Sequence, residues 1–375
     1  MFFFSSAYIR GKKAMSERRI CLCALNRALG YEPAVEKKIL EDPDWLSRLP
    51  ERLSQEDLLW AEKELQAVDA AGDRFLSPGD EDYPEMLSEC PDPPVGLYFR
   101  SCSTPAEVFG LRRAVAVVGT RDLSPYGREW CERLVRAMAE TRNPPLIVSG
   151  LAYGADAVAH RTALKCGLPT VGVMATGIDA VYPWRHMDLA AEMRNTPFCA
   201  LVTDYPRGTQ PVALNFMRRN RIIAGLSCAT IVIESKKKGG SLITAKYAND
   251  YNRDVYALPG RADDPRSMGC NSLIHAHMAE IITEPEDLAE RLGLSLIRKG
   301  RKAELKEYLE REYGPGDDRT VFAMLVKGQR DIDCREICSQ LGWSWEKTLA
   351  VAGMLEIDGI IARDLCGRCR IQKIM

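Results

Sequence analysis

Between Ala114 and Gly260 short apolar runs alternate with longer stretches in which apolar residues recur every three to four positions. Short runs bounded by turn-formers mark strands buried on both faces, and the three-to-four spacing marks helices laid against them. The pattern predicts strands at Val115–Val118, Leu146–Ser149, Thr170–Met174, Ala200–Val202, Ala229–Ile233 and Val255–Leu258. Helices are expected between them at Pro125–Glu140, Gly154–Cys166, His186–Arg194, Ala213–Leu226 and Ser241–Tyr251. Strands and helices alternating through five crossovers give an α/β class, an extended Rossmann-like, doubly wound and mostly parallel sheet.

The flanks read differently. From Ser16 to about Ala71 helical spacing continues, as in Leu58, Leu59, Leu65 and Val68, with breaks near Gly30-Tyr31 and Pro43. This is a small helical, SAM-like module, set at residues 16–74, preceded by an extension, 1–15, expected to be disordered, in which Met15 is an alternative start. Phe75 to Arg100 is a turn-rich approach to a short strand and opens the central domain, set at 75–297. Residues 298–318 are rich in Lys, Arg and Glu and end in Gly-Pro-Gly-Asp-Asp, which reads as a linker. In 319–375 one helix ends near Lys327-Gly328 and others are expected at Asp333–Leu341 and Ser344–Asp358. Ile360–Ala362 and Arg370–Gln372 then form a hairpin, completing a winged helix.

Charge changes the picture only locally. The 375 residues carry 51 Lys+Arg against 52 Asp+Glu, a net of −1, so the whole molecule has no polycation character. No apolar run is long enough to span a membrane, and the opening residues lack the apolar core of a signal peptide, so a cytoplasmic location without membrane contact is expected. The 13 cysteines are odd in number and dispersed, which fits reduced thiols. From Tyr205 to Lys246, however, the basic residues are Arg207, Arg218, Arg219, Arg221, Lys236, Lys237, Lys238 and Lys246, and Glu234 is the one acid. That window carries +7. Arginines near the start of a helix oppose its dipole, which points to an anion that meets them, and forked guanidinium donors suit phosphate.

In open parallel sheets ligands bind outside the carboxyl ends of the strands. Three glycine-bearing turns lie there: Gly119-Thr120-Arg121, Gly150 to Gly154, and Gly239-Gly240-Ser241. None completes a dinucleotide or P-loop fingerprint, so no nucleotide cofactor is expected. Counting Arg121, Arg185, Arg219, Arg221 and one loop lysine as phosphate contacts gives Z of about 5, and the slope of ~0.7Z for single strands implies roughly a hundredfold loss of affinity for a fourfold rise in salt.

The motifs Val117-Val118-Gly119-Thr120-Arg121, Ser149-Gly150 through Asp156 to His160, Gly177-x-Asp179-x-x-Tyr182-Pro183, Arg219-Asn220-Arg221 through Leu226, Gly240-Ser241 through Ala245, Ala257 to Gly260, and Gly269-Cys270-Asn271 occur in order. Together the chain resembles the DNA-processing protein A (DprA/Smf) family over about Tyr83 to Ile282. The resemblance implies a dimeric, non-enzymatic protein that binds and protects single-stranded DNA and helps load a RecA-type recombinase during natural transformation. It also implies that Gly119, Thr120, Arg121, Arg185, Asn215, Arg219, Asn220, Arg221, Gly240 and Ser241 line the strand pocket, with no cofactor and no metal. One departure is His277-Met278, where the family usually has Gly-Ala.

Other readings compete. Cys334, Cys338, Cys366 and Cys369 have a zinc-like spacing, but the first two fall on a buried helical stripe. His275 and His277 lack a second ligand cluster, and His160 reads as a packed histidine. Asp156, Glu234 and Ser241 lie near the sheet edge without a paired base, so a Rossmann-like nucleoside-phosphate hydrolase is the weaker alternative. A winged-helix regulator of double-stranded DNA is weaker still, because Ser344–Asp358 offers Lys347 against Glu346, Glu356 and Asp358.

Overall fold

Apolar runs that cannot alternate polar and apolar faces must be covered on both sides, and the central strands are. The computed structural model describes residues 12–28, 53–110, 113–296, 301–329, 332–364 and 367–372. The chain divides into two units, Met1–Leu296 and Ile297–Met375. The first begins with α1 (Lys12–Ala28) and α2 (Gln55–Ala70), then β1 (Arg74–Leu76), α3 (Glu85–Ser88), β2 (Leu97–Arg100) and α4 (Pro105–Phe109). The alternation follows as β3 (Ala114–Val118), α5 (Pro125–Ala139), β4 (Leu146–Ser149), α6 (Ala155–Lys165), β5 (Thr170–Val173), α7 (Met187–Asn195), β6 (Ala200–Thr203), α8 (Ala213–Gly225), β7 (Ala229–Val232), α9 (Ser241–Asp250) and β8 (Asp254–Ala257). It closes with α10 (Met268–His275), β9 (Glu280–Ile281) and α11 (Pro285–Arg291).

The nine strands form one sheet in the order β1-β2-β6-β5-β4-β3-β7-β8-β9. From β6 to β9 all pairings are parallel, and β2 and β1 add an antiparallel edge. Every residue of β3 to β7 is buried. One face packs Ile222, Ile223, Ala245 and Ala248 of α8 and α9 against Val118, Val148 and Val232. The other packs Leu134 and Val135 of α5, Val158 and Ala159 of α6, and Leu288 of α11 against Val115, Val117 and Ile231. Helix starts follow local chemistry: Ser124 accepts a hydrogen bond from the N–H of Gly127 and Pro125 occupies the first turn of α5.

The helical module is fastened to the sheet. Leu22, Leu25, Leu65 and Val68 share a core with Phe75 and Tyr98, whose rings meet edge to face at 5.1 Å. Asn26 Nδ2 donates to the carbonyl of Asp204 at 2.9 Å, and Glu64 Oε1 accepts from the N–H of Arg207 at 2.8 Å. Helix α1 already runs from Lys12, inside the stretch expected to be disordered; residues 1–11 and the expected breaks at Gly30-Tyr31 and Pro43 lie outside the described residues.

In the second unit α12 (Arg301–Tyr313) occupies the stretch read as a linker. Its composition is polar, but Leu305 and Leu309, one helical turn apart, are buried in that unit's core with Phe322, Val326 and Ile337, so the residues belong to a folded element. Then come α13 (Asp318–Gln329), β10 (Ile332–Asp333), α14 (Cys334–Leu341), α15 (Trp345–Ile357), β11 (Ile361–Arg363) and β12 (Arg368–Ile371). The hairpin gains a third strand, in the order β10-β12-β11. Cys334 and Cys369 meet in the core with sulfurs 3.4 Å apart, and the Cys338 thiol donates to the carbonyl of Trp343 at 2.8 Å; Cys366 lies outside the described residues. Among the described residues no group of three or more His, Cys, Asp or Glu could hold a metal, and no helix is long and apolar enough to cross a membrane.

Candidate nucleic-acid site

The chain leaves β3 toward β4, β5 and β6 on one side, then returns to place β7 on the other side of β3. At such a switch point the loops leaving the two neighbouring strands diverge and open a crevice. A cavity of about 430 Å³ occupies it. Its walls are the turn after β3 (Val118 to Asp122), the turn after β7 (Ser235, Lys236 and Lys238 to Ser241), Ala152 and Asp156 beyond β4, and the Phe216–Ile223 side of α8. Seven of the ten expected site residues meet here: Gly119, Thr120, Arg121, Arg219, Asn220, Gly240 and Ser241.

Four cations, Arg121, Arg219, Lys236 and Lys238, stand on the wall against two carboxylates, Asp122 and Asp156. Both carboxylates are engaged. Asp122 pairs with Arg266 at 2.9 Å, and Asp156 accepts from the N–H groups of Gly150 and Ala152 at 3.1 and 3.3 Å. Burial pushes the Asp156 carboxyl up, opposed by the charge of Arg219 and by those N–H groups. Glu234, the acid inside the basic window, is turned away and holds the N–H and hydroxyl of Ser124 at 2.9 and 2.5 Å. The N-terminus of α9 opens on the cavity through Gly240, which supplies no capping side chain, so the positive end of the helix dipole adds to the field. Asn220 bridges to it, donating to the carbonyl of Gly240 at 3.2 Å.

The cations differ in what they can still bind. Arg121, Lys236 and Lys238 are exposed, and the Arg121 guanidinium lies 5.2 Å from the centre of the Phe216 ring. Arg219 is 4% exposed and donates to the carbonyls of Gly150, at 2.6 Å, and Val173. It stays charged at neutral pH: burial draws its pKa down to about 10, with Asp156 opposing. Its reach explains Gly150, because a Cβ there would sit 2.3 Å from the guanidinium. The loop that follows is strained at Leu151, at φ +57°, and uses glycine at position 154, where φ is +75°.

Three expected site residues do not line the cavity. Arg221 is 1% exposed, pairs with the buried Asp204 at 3.1 Å and donates to the carbonyl of Asp92, so the anion that compensates its place on α8 is internal. Asn215 is buried and donates to the carbonyl of Ala175 at 3.4 Å, tying the start of α8 to the loop after β5. Arg185 is exposed on the turn Trp184–His186, beside the Trp184 ring at 5.6 Å. The basic window of the sequence began one residue after Asp204, which is why the internal pair escaped it; Met217, also on the wall, carried no charge signal.

Residues 74–293 match the family model of DNA recombination-mediator protein A. Protein Smf of Synechocystis is 38% identical over 68% of this chain and 63% of its own length, and Protein Smf of Escherichia coli is 37% identical over 66% and 62%. The match therefore spans less than two-thirds of either relative. The X-ray structure of DNA processing protein A from Streptococcus pneumoniae superposes with a TM-score of 0.57 at 30% identity, covering 74% of this chain and 95% of that one. DNA processing protein A from Helicobacter pylori, described for its single-stranded DNA binding mode, superposes at 0.52 with 26% identity, covering 59% and 95%. A family model matching more than half the chain, over the same residues that build the sheet and its cavity, places this protein in the DNA recombination-mediator protein A family.

Proposed function

We propose that the protein binds one strand of DNA, without base specificity, at the cavity between β3 and β7, and that it acts as a non-enzymatic mediator in the cytoplasm. The observation that carries this reading is the joining of exposed cations, a helix N-terminus and an aromatic wall at a single switch-point crevice. Likeness to relatives named as DNA processing proteins, one of them described for single-stranded DNA binding, supports it. We further propose that it protects incoming DNA, delivers the strand to a RecA-type recombinase in transformation and acts as a homodimer.

The hydrolase alternative finds less support. Ser241 donates to Ser235 at 2.9 Å, Asp156 is occupied by backbone N–H groups, and no histidine or cysteine stands among the described lining residues. The duplex-reading alternative is weaker because Lys347, the cation on α15, pairs with Asp318 at 2.8 Å. The test is fluorescence anisotropy with a labelled oligonucleotide as a single strand and as a duplex. Preference for the single strand is expected, and equal affinity for the two forms would overturn the proposal.

A further inference from the structure

Large apolar side chains left in water cluster beside the cavity. Tyr153, Tyr182, Trp184, Met187, Leu214 and Met217 are between 39% and 68% exposed. They lie on the segments that follow β4, β5 and β6, on the carboxyl edge next to the cavity. Scattered exposed apolar residues need no explanation, but a contiguous group on one edge does.

Phe216 joins this ledge to the cavity. Arg121 and Arg219 of the cavity wall lie over its ring, and the Tyr182 ring of the ledge also meets it, at 5.4 Å and 61°. Beyond Tyr182 come Trp184 and Arg185, then His186, which is buried and meets the edge of Tyr153 at 5.0 Å. The segment presenting these rings is tied down. His186 Nδ1 is 2.8 Å from the carbonyl of Leu151, its N–H donates to the carbonyl of Pro183 at 2.9 Å, and Asp179 accepts from the N–H of Gly208 at 2.9 Å. Trp184 is nonetheless 68% exposed, so a fixed backbone holds an indole out in water.

We propose that this ledge stacks the unpaired bases of the strand whose backbone the cavity holds, and that it sets the preference for single over double strands. The inference rests on the strand-binding reading above. Cations attract the phosphates of either form of DNA, whereas a ring held in water gains only from a base whose face is open. In a duplex those faces are stacked on their neighbours, so the ledge adds nothing to duplex binding. Continuity with the cation-lined cavity is what selects nucleic acid as its occupant.

The experiment uses the full chain and three probes: oligothymidylate, an abasic phosphodiester strand of the same length, and a duplex. The wild type should bind oligothymidylate roughly tenfold or more tighter than the abasic strand, since stacking on one ring is worth a factor of about five or more. Trp184→Ala should remove most of that difference and leave abasic and duplex affinities unchanged, while Trp184→Phe should retain it. Trp184→Ala binding oligothymidylate like the wild type would overturn the ledge and mark it as a surface for protein. Equal weakening of all three probes would overturn it too. If the wild type bound no strand at all, strand binding itself would fail, and the ledge with it.

Discussion

The helix that walls the cavity and the turns that rim it both carry a dense set of cations, and the two sets do opposite work. On α8, Arg219 and Arg221 are buried and spend their donors on internal carbonyls and on Asp204. On the turns after β3 and β7, Arg121, Lys236 and Lys238 stand in water at the cavity mouth. A run of arginines is thus no measure of phosphate binding; what matters is whether the fold brings a carboxylate or a strand end to each guanidinium. The helix supplies shape and a fixed background charge, and the turns supply the contacts that a mobile polyanion can make.

The contrast breaks first at Arg221. Arg221→Ala leaves Asp204 buried without its partner and is expected to lower stability by about 3–5 kcal/mol, read by urea unfolding; a stable variant that binds DNA poorly would place Arg221 among the contacts instead. Acid should also act on the buried side. Burial draws the His160 imidazole down to about 3 from an ordinary 6.5, so between those values the unfolded chain takes up a proton that the folded protein refuses. Its contribution is intact above pH 6.5 and is lost on acidification, by about 1.4 kcal/mol per pH unit. His160→Gln should flatten that part of the stability profile. On the exposed side Arg121→Ala should weaken strand binding by about 1–3 kcal/mol with an unchanged unfolding midpoint. Arg219→Ala should do both, since it sits on the wall yet braces two strand ends. The smallest effect is remote from either region. His277 has φ +55°, a left-handed backbone that glycine adopts without steric cost, so His277→Gly should raise the unfolding free energy by about 0.5–1 kcal/mol and leave DNA affinity alone.

The central strands were legible because burial on both faces forces uninterrupted apolar runs, and the observed ends differ from the expected ones by a residue or so. Strand β9 was not, because both of its residues, Glu280 and Ile281, are exposed and carry no pattern. Helix α12 was hidden by its charge, with two leucines holding it to a core. The glycine turns announced the edge at which a ligand would sit, but not that β7 lies beside β3; that pairing joins segments about a hundred residues apart and leaves no local trace. The partner of Arg221 was missed for a different reason: Asp204 lies 17 residues upstream, just outside the basic window.

The account predicts that the exposed cations, not the arginines of α8, carry the electrostatic part of binding. With Arg121, Arg185, Lys236 and Lys238 as contacts, the logarithm of single-strand affinity should fall against the logarithm of salt with a slope of about −2.8. Replacing Arg121, Lys236 and Lys238 together by alanine should reduce that slope to about −0.7 without lowering the unfolding midpoint. A slope unchanged by the triple substitution would contradict it, because the strand would then be held somewhere other than the crevice between β3 and β7.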